Sequence, residues 1–234
     1  MIRTHDSNTA WWGQSVAIVT DAAWFQQDTA VREQSLAPYA WAEFSAPLAT
    51  APTALELCRA GFALTDVQMN FRIGLGHIAN SPSLATYECC TARDAPFVIG
   101  LEDMRTFEHE RFLQIPGMTH ERLNIRYVNW ANDIIAKHPE WCLRLTQQGQ
   151  TQGWFLSESK GSSVHLVLAM LSANATVSGQ LLYHRALREY AARGASLGHA
   201  AFSVRNTPVL NIYAQLGAKF TQPTGCWLWV RVAS

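Results

Sequence analysis

The sequence predicts an α/β protein in which strands and helices alternate along the whole chain. Three observations carry this. Short apolar runs of strand length alternate with segments whose apolar residues recur at helical spacing. Breakers stand at the joints: Pro38, Gly61, Pro139, Gly194 and Gly217. The rhythm β-α-β-α-β occurs in each half, as a degenerate duplication would leave it.

In the first half, Val16-Ala17-Ile18-Val19 reads as a strand, and residues 22–36 read as a helix that Pro38 forbids from continuing. Residues 41–45 alternate as a half-buried strand, 53–59 form a helix stopped by Gly61, and 62–73 return as a long strand. Residues 76–96 carry Gly, Asn, Ser and Pro with no clear period, which marks a linker. The expected domains are therefore 1–76, a reduced α/β domain, and 97–234, joined by 77–96.

The second half opens with an expected strand over 97–101 and a helix over 102–112. A further helix over 121–138 carries Ile125, Val128, Ile134 and Ile135 and is ended by Pro139. Strands 141–145 and 152–157 make a hairpin around Gln148-Gly149. The most informative stretch follows, from Val164 to Phe220. His165 to Met170 is a buried-strand run, and the small and polar residues from Ser172 to Gly179 lead into a helix. On that helix Tyr183, Ala186, Leu187, Tyr190 and Ala191 share one face, opposite Arg185, Arg188, Glu189 and Arg193. Gly194 follows its end. His199 to Val204 is the next strand, Asn206-Thr207-Pro208 caps the next helix, and Gly217 closes it.

Composition narrows the class. The 234 residues are 48% hydrophobic and 15% charged, which describes a chain with ample core. A formal net charge of zero argues against a general nucleic-acid or anionic-membrane partner. Nine Trp suggest aromatic-lined surfaces as well as core. Cys58, Cys89, Cys90, Cys142 and Cys226 show no CxxC pair, so reduced core thiols and a cytoplasmic location are expected. None of the eight His has metal-ligand spacing, and no run approaches a membrane span.

The stretch from Val164 to Phe220 resembles the cofactor-binding half of the GNAT superfamily of N-acyltransferases. The likeness rests on the strand ending Leu168-Ala169-Met170, the small-residue turn before a helix, and Asn206 followed by Tyr213 and then Leu216-Gly217. Trp11-Trp12-Gly13, Gly61-Phe62-Ala63-Leu64, Arg111-Phe112 and the pair Tyr127 and Trp130 extend it towards the nucleotide-linked amino-sugar acyltransferases, the dTDP-fucosamine N-acetyltransferase group. The resemblance implies a central mixed sheet flanked by helices, with an incomplete GNAT-like N-terminal domain. It implies an acyl-CoA co-substrate, acetyl or larger, no metal, and transfer to the amine of a dTDP-linked amino deoxysugar or another small amine. A non-catalytic binding module on the same fold is the alternative.

The same resemblance implies the site. Backbone groups of Leu168 and Met170 pair with the pantetheine arm as an added strand would. The turn and helix start, with Thr176, Ser178, Gly179 and Gln180, meet the diphosphate. Asn206 contacts the cofactor and Tyr213 donates a proton to the leaving thiolate. This turn departs from the family pattern Gln/Arg-x-x-Gly-x-Gly/Ala: Ala175-Thr176-Val177-Ser178-Gly179-Gln180 has one glycine and no basic first residue, with the hydroxyls of Thr176 and Ser178 as substitutes for lost N–H donors. Amine attack calls for a general base; Glu158 is the candidate, with His165 and His184 as alternatives. Arg111 or Arg126 would meet a nucleotide diphosphate. The expected partners are a nucleotide sugar or other small amine, with a homodimer as the assembly to consider.

Overall fold

The computed structural model describes residues 1–79, 82–105, 107, 108 and 110–231, and the chain divides into two units. Residues 1–69, 110–118 and 222–234 make the first; 70–109 and 119–221 make the second. The chain passes between the units after Met69, and residues 110–118 and 222–234 return to the first.

The first unit contains β1 (Ile2–Thr4), α1 (Asp6–Trp12), β2 (Val16–Val19), α2 (Thr29–Leu36), β3 (Trp41–Pro47), α3 (Ala54–Arg59), the start of β4 (Ala63–Gly74) and β11 (Thr224–Val230). Its strands lie in the order β1-β2-β3-β11-β4. Only β2 and β3 run parallel, and the helical crossover between them is what a parallel pair requires. Trp24, Phe25, Phe44, Phe62 and Trp227 fill the core, with Phe25 packed edge-on to Phe44 at 4.8 Å and to Phe62 at 5.3 Å. The helix expected over 22–36 is interrupted. Asp21 caps a short 3₁₀ turn, Ala22–Gln26, and Gln27 turns extended. Arg32 donates to the carbonyls of Phe25 and Gln27 and so holds the break before α2 begins.

The second unit contains the remainder of β4, β5 (Glu88–Thr91), α4 (His120–Lys137), β6 (Cys142–Gln147), β7 (Gln150–Lys160), β8 (Ser163–Leu171), α5 (Gly179–Ala192), β9 (Leu197–Ser203), α6 (Thr207–Gln215) and β10 (Lys219–Phe220). The order is β4-β9-β8-β7-β6-β5, mixed in direction, with β10 on β4. Gln148 and Gly149 take positive φ of 51° and 76°, the two-residue turn that the hairpin β6–β7 needs. Phe155, Tyr183, Leu187, Tyr190 and Tyr213 build the core under α5 and α6. Tyr190 seals it by donating to the carbonyls of Trp141 and Phe155.

Two expected elements are absent. Residues 97–101 form no strand: both backbone groups of Ile99 pair with the Asn132 side chain, at 3.0 and 2.9 Å, and not with a neighbouring strand. The described residues of 102–112 form no α-helix. Asp103 turns its carboxylate onto the Gly100 N–H, Met104 bridges to Ser172, and a 3₁₀ turn, Arg111–Gln114, follows. Within the expected linker, Pro82–Thr86 forms a 3₁₀ turn and β5 joins the sheet; residues 80 and 81 lie outside the described residues. Of the five thiols, Cys58 is exposed and not a core residue.

Gly153 sits where a side chain cannot. A Cβ there would lie 2.4 Å from the Met170 carbonyl oxygen and 3.1 Å from both Leu182 methyls. Gly153→Ala is expected to cost about 1–3 kcal/mol, read as a lower urea midpoint with unchanged slope. Burial pushes the Cys89 and Cys142 thiols up to about 12. A raised thiol value adds stability that is full below the ordinary thiol range and is lost as pH rises towards about 12. The urea midpoint should therefore fall above pH ~9, and fall less in the Cys89→Ala, Cys142→Ala double variant; equal falls would show that other groups carry the alkaline limb.

Candidate active site

The site begins at a fork. Strands β8 and β9 pair only through Ser163–Leu197, Val164–Gly198 and His165–His199. On its other edge β8 stays paired with β7, but Leu156 faces Leu168 while Ser157 faces Leu166, so Val167 is an extra residue without a partner opposite. Such a bulge bends its strand and increases its twist. It lies just beyond the last β8–β9 pair, and the two strands part there. It also changes which residues face the core. Val164 and Leu166 pack against α5 before the bulge, and Ala169 and Leu171 do so after it. Alternation then turns the buried Leu168 and Met170 side chains to the opposite face, leaving the open edge of β8 as backbone.

Beyond β8 the chain turns through 172–178 into α5. Thr176 gives both its N–H and its hydroxyl to Gln152 Oε1, at 2.9 and 3.3 Å. The Thr176 hydroxyl is thus engaged inside the protein, and only that of Ser178 is left of the two expected substitutes. Ser178 stands at the N-cap of α5, exposed, with its side chain capping nothing. The first bond of the helix runs from Leu182 N–H to the Ser178 carbonyl. The N–H groups of Gly179, Gln180 and Leu181 therefore have no protein acceptor among the described residues. The Gln180 side chain reaches across to Gln215 at 2.8 Å.

Asn206 caps α6, its Oδ1 accepting from Val209 N–H at 3.3 Å, which leaves its side-chain NH₂ for other acceptors. Two turns further along, Tyr213 is 4% exposed and lies on Phe71 at 4.0 Å, with Phe202 stacked at 5.9 Å and Tyr183 edge-on at 5.2 Å. Phe202 belongs to the length of β9 that is not paired with β8, so Tyr213 packs directly against one arm of the fork. Burial pushes its phenol well above the ordinary tyrosine range, with Tyr183 and Tyr190 adding to the effect. Its hydroxyl makes no hydrogen bond among the described residues.

At the apex of the fork a polar row crosses three strands. Glu158 on β7, His165 on β8 and His199 on β9 stand side by side. A carboxylate only accepts, so His165 Nδ1 carries the proton it donates to Glu158 Oε1 at 2.9 Å, and Nε2 keeps its lone pair in the neutral ring. His165 stacks on His199 at 5.1 Å, and Ser163 lies 3.1 Å from His199 Nδ1. His138 Nε2 stands 3.5 Å from the other Glu158 oxygen. The hydrogen bond from His165 holds the Glu158 carboxyl below the usual carboxylate range. Burial, and then the neighbouring His165, lower His199 from the ordinary imidazole range.

The two base candidates Glu158 and His165 are thus in contact. His184 is placed elsewhere, donating to the Ala79 carbonyl at 2.7 Å. Arg111 is engaged in the first unit. It lies 3.3 Å from Glu43, a buried carboxylate that also takes bonds from His5 at 3.0 Å and Asn8 at 3.1 Å. Burial pushes Glu43 up, but His5 and Arg111 more than offset it, and its value falls below the ordinary range. Arg126 lies 5.7 Å from the rings of both Tyr127 and Trp130, beside the Phe107–Tyr127 stack. Sequence reasoning missed Gln152 and Arg105, which donates to the carbonyls of Ser172 and Ala175; neither belongs to a recognisable spacing.

No family model matches the chain, and no curated protein matches it. Solved structures do. A GCN5-related N-acetyltransferase from Sphaerobacter thermophilus aligns at a TM-score of 0.53 and 14% identity over 81% of this chain, which spans 59% of that one. A tandem GNAT protein from the clavulanic acid biosynthesis pathway aligns at 0.52 and 12% identity, covering 95% of this chain and 77% of its own. A conserved protein of unknown function from Staphylococcus epidermidis aligns at 0.56 and 10% identity, covering 94% and 85%. The chain has the fold of the GCN5-related N-acetyltransferases. Among the described residues no helix is long and apolar enough to cross a membrane.

The Glu158–His165 contact predicts an acid limb. A lowered carboxylate value gives stability that is present above the ordinary Glu range and lost as pH falls through the folded-state value. Glu158→Gln should therefore destabilise at pH 7 by no more than about 1 kcal/mol, because the pair is half exposed. The difference should vanish below pH ~4 in urea melts; a difference that persists there would assign it to packing.

Proposed function

We propose that the chain is an acyl-CoA-dependent N-acyltransferase in which an amine attacks the thioester directly. The fork carries this reading: two neighbouring strands part just beyond the His165–His199 pair, next to an uncapped helix start. The residues fit such a ligand. Unpaired backbone on the open edge of β8, through Ala169 and Leu171, offers strand-like pairing to the amides of a pantetheine arm, whereas the backbone groups of the expected Leu168 and Met170 turn to β7. Ser178, Gly179 and Gln180 offer N–H groups and a helix dipole to a diphosphate. The Asn206 side-chain NH₂ is a further donor. When bound there, the acyl-CoA supplies an activated carbonyl.

The remaining work falls to this chain's own side chains. His165 accepts the proton of the incoming ammonium at Nε2, and Glu158 holds the ring in the tautomer that permits it and stabilises the imidazolium. An N–H on the open edge of β8 polarises the carbonyl oxygen. Tyr213 donates a hydrogen bond to the departing sulfur. Its raised value keeps it protonated at every working pH, so it acts as a donor and not as a titrating switch. The acceptor is a small amine. The finer reading, a nucleotide-linked amino deoxysugar, rests on the sequence resemblance, and with Arg111 engaged by Glu43 its phosphates would fall to Arg126 beside Tyr127 and Trp130.

Calorimetry with acetyl-CoA, followed by a panel of amines and amino sugars, tests this. Binding and turnover are expected; no heat at millimolar acetyl-CoA would leave a fold without the activity. Tyr213→Phe should fold as the parent does, since the hydroxyl has no protein partner to lose, yet lower kcat at least about tenfold. Unchanged turnover would remove Tyr213 from the mechanism.

A further inference from the structure

The turn between β8 and α5 lacks in sequence the basic residue that would face a diphosphate, and the structure supplies one from elsewhere in the second unit. We propose that Arg105 is the cation of this turn, and that Gln152 sets the turn's register so that diphosphate-binding donors begin at Val177. The proposal rests on the acyl-CoA reading above.

Arg105 straddles the turn. Its Nε donates to the Ser172 carbonyl at 3.1 Å and its Nη2 to the Ala175 carbonyl at 3.0 Å. The backbone beside it is fixed to the same turn: the Asp103 carbonyl accepts from Ala173 N–H at 2.8 Å, and Met104 bridges to Ser172. A guanidinium has five N–H donors in a rigid fork, and two of them account for these bonds. The rest have no protein acceptor among the described residues, and no carboxylate there forms an ion pair with Arg105. Its nearest acidic neighbour in sequence, Asp103, is turned onto the Gly100 N–H at 2.8 Å. The turn therefore carries one positive charge with donors to spare, the complement of an anion with several oxygens.

The backbone donors of the turn can be counted. Ala173 N–H goes to Asp103, Asn174 to Ser172 Oγ, Ala175 to the Ser172 carbonyl, and Thr176 to Gln152. Gln152 is 1% exposed, so the acceptor that takes both Thr176 donors is itself fixed. Gln150 adds a bond to the Asn174 carbonyl at 3.0 Å. Every N–H up to Thr176 is consumed within the protein. Thr176 is a positioning residue, and the free donors run from Val177 into the first turn of α5.

Calorimetry of the full chain with CoA and with pantetheine, which has the arm but no diphosphate, separates the outcomes. Arg105→Met should weaken CoA at least tenfold at low salt and leave pantetheine within twofold, and added salt should narrow the gap between variant and parent for CoA. Arg105→Lys, which keeps charge but not the fork, should recover part of the loss. Thr176→Ala should leave CoA affinity within threefold. Equal weakening of both ligands by Arg105→Met, with a lower melting temperature of the free protein, would make Arg105 structural only and overturn the proposal. So would undiminished CoA affinity. A parent chain that binds no CoA overturns the acyltransferase reading, and this one with it; a parent that binds CoA while Arg105→Met binds it equally overturns this one alone.

Discussion

One inserted residue governs the second unit. Val167 has no partner on β7, and the strand it kinks loses β9 just beyond His165 while keeping β7 on its other edge. Backbone N–H and C=O groups carry a cost when they are buried unpaired. A strand opened in the middle of a sheet must therefore meet water or a ligand along its free length. The bulge makes that opening permanent. The core does not depend on β9 at this point, because Phe155, Tyr183, Leu187 and Tyr190 tie β7 and β8 to α5. The fork is thus held apart by packing and is not a breach in the packing.

The two ends of the opening differ in electrical character. At the outer end are helix N–H groups and a guanidinium, and among the described residues no carboxylate pairs with them. At the apex, a carboxylate is surrounded by imidazoles, with His165 hydrogen-bonded to it and His138 nearby. A long ligand that is anionic at one end and reactive at the other would be oriented by this asymmetry alone. The same geometry explains the stacked rings of His165 and His199: facing strands pair these residues, and their closeness disfavours protonating both.

Most of the fold was legible in the sequence, because periodicity and breakers act locally. Gly149, Gly194 and Gly217 all take the positive φ that their places at a hairpin turn and at helix ends require. Pro139 closes α4 as expected. The stretch 97–112 misled for a tertiary reason. Its apolar residues suit a strand and then a helix, but Asn132 captures Ile99 and Asp103 captures Gly100, and side chains that bind the backbone displace regular ladders. The candidate site was legible only in part. Asn206, Tyr213 and the turn lie in one stretch and could be read together. The contact of Glu158 with His165 depends on the register of β7 and β8 across the bulge, which no local pattern encodes. Gln152 and Arg105 reach the turn from other elements, so neither leaves any mark on the sequence of the turn itself.

The burial of Tyr213 decides how the proposed roles are divided. A phenol enclosed by Phe71, Phe202 and Tyr183 is held neutral by the absence of anything to stabilise its anion. Transferring its proton outright to a thiolate would run uphill, since a thiol ionises far more readily. A hydrogen bond to sulfur that strengthens as charge develops needs no such transfer, and it gains strength from the same apolar surroundings. The proton that leaves the sulfur's neighbourhood neutral must then come finally from solvent or from the imidazolium. That leaves the proton transfers of the proposed reaction to the Glu158–His165 pair, where both side chains are half exposed and exchange with water is open.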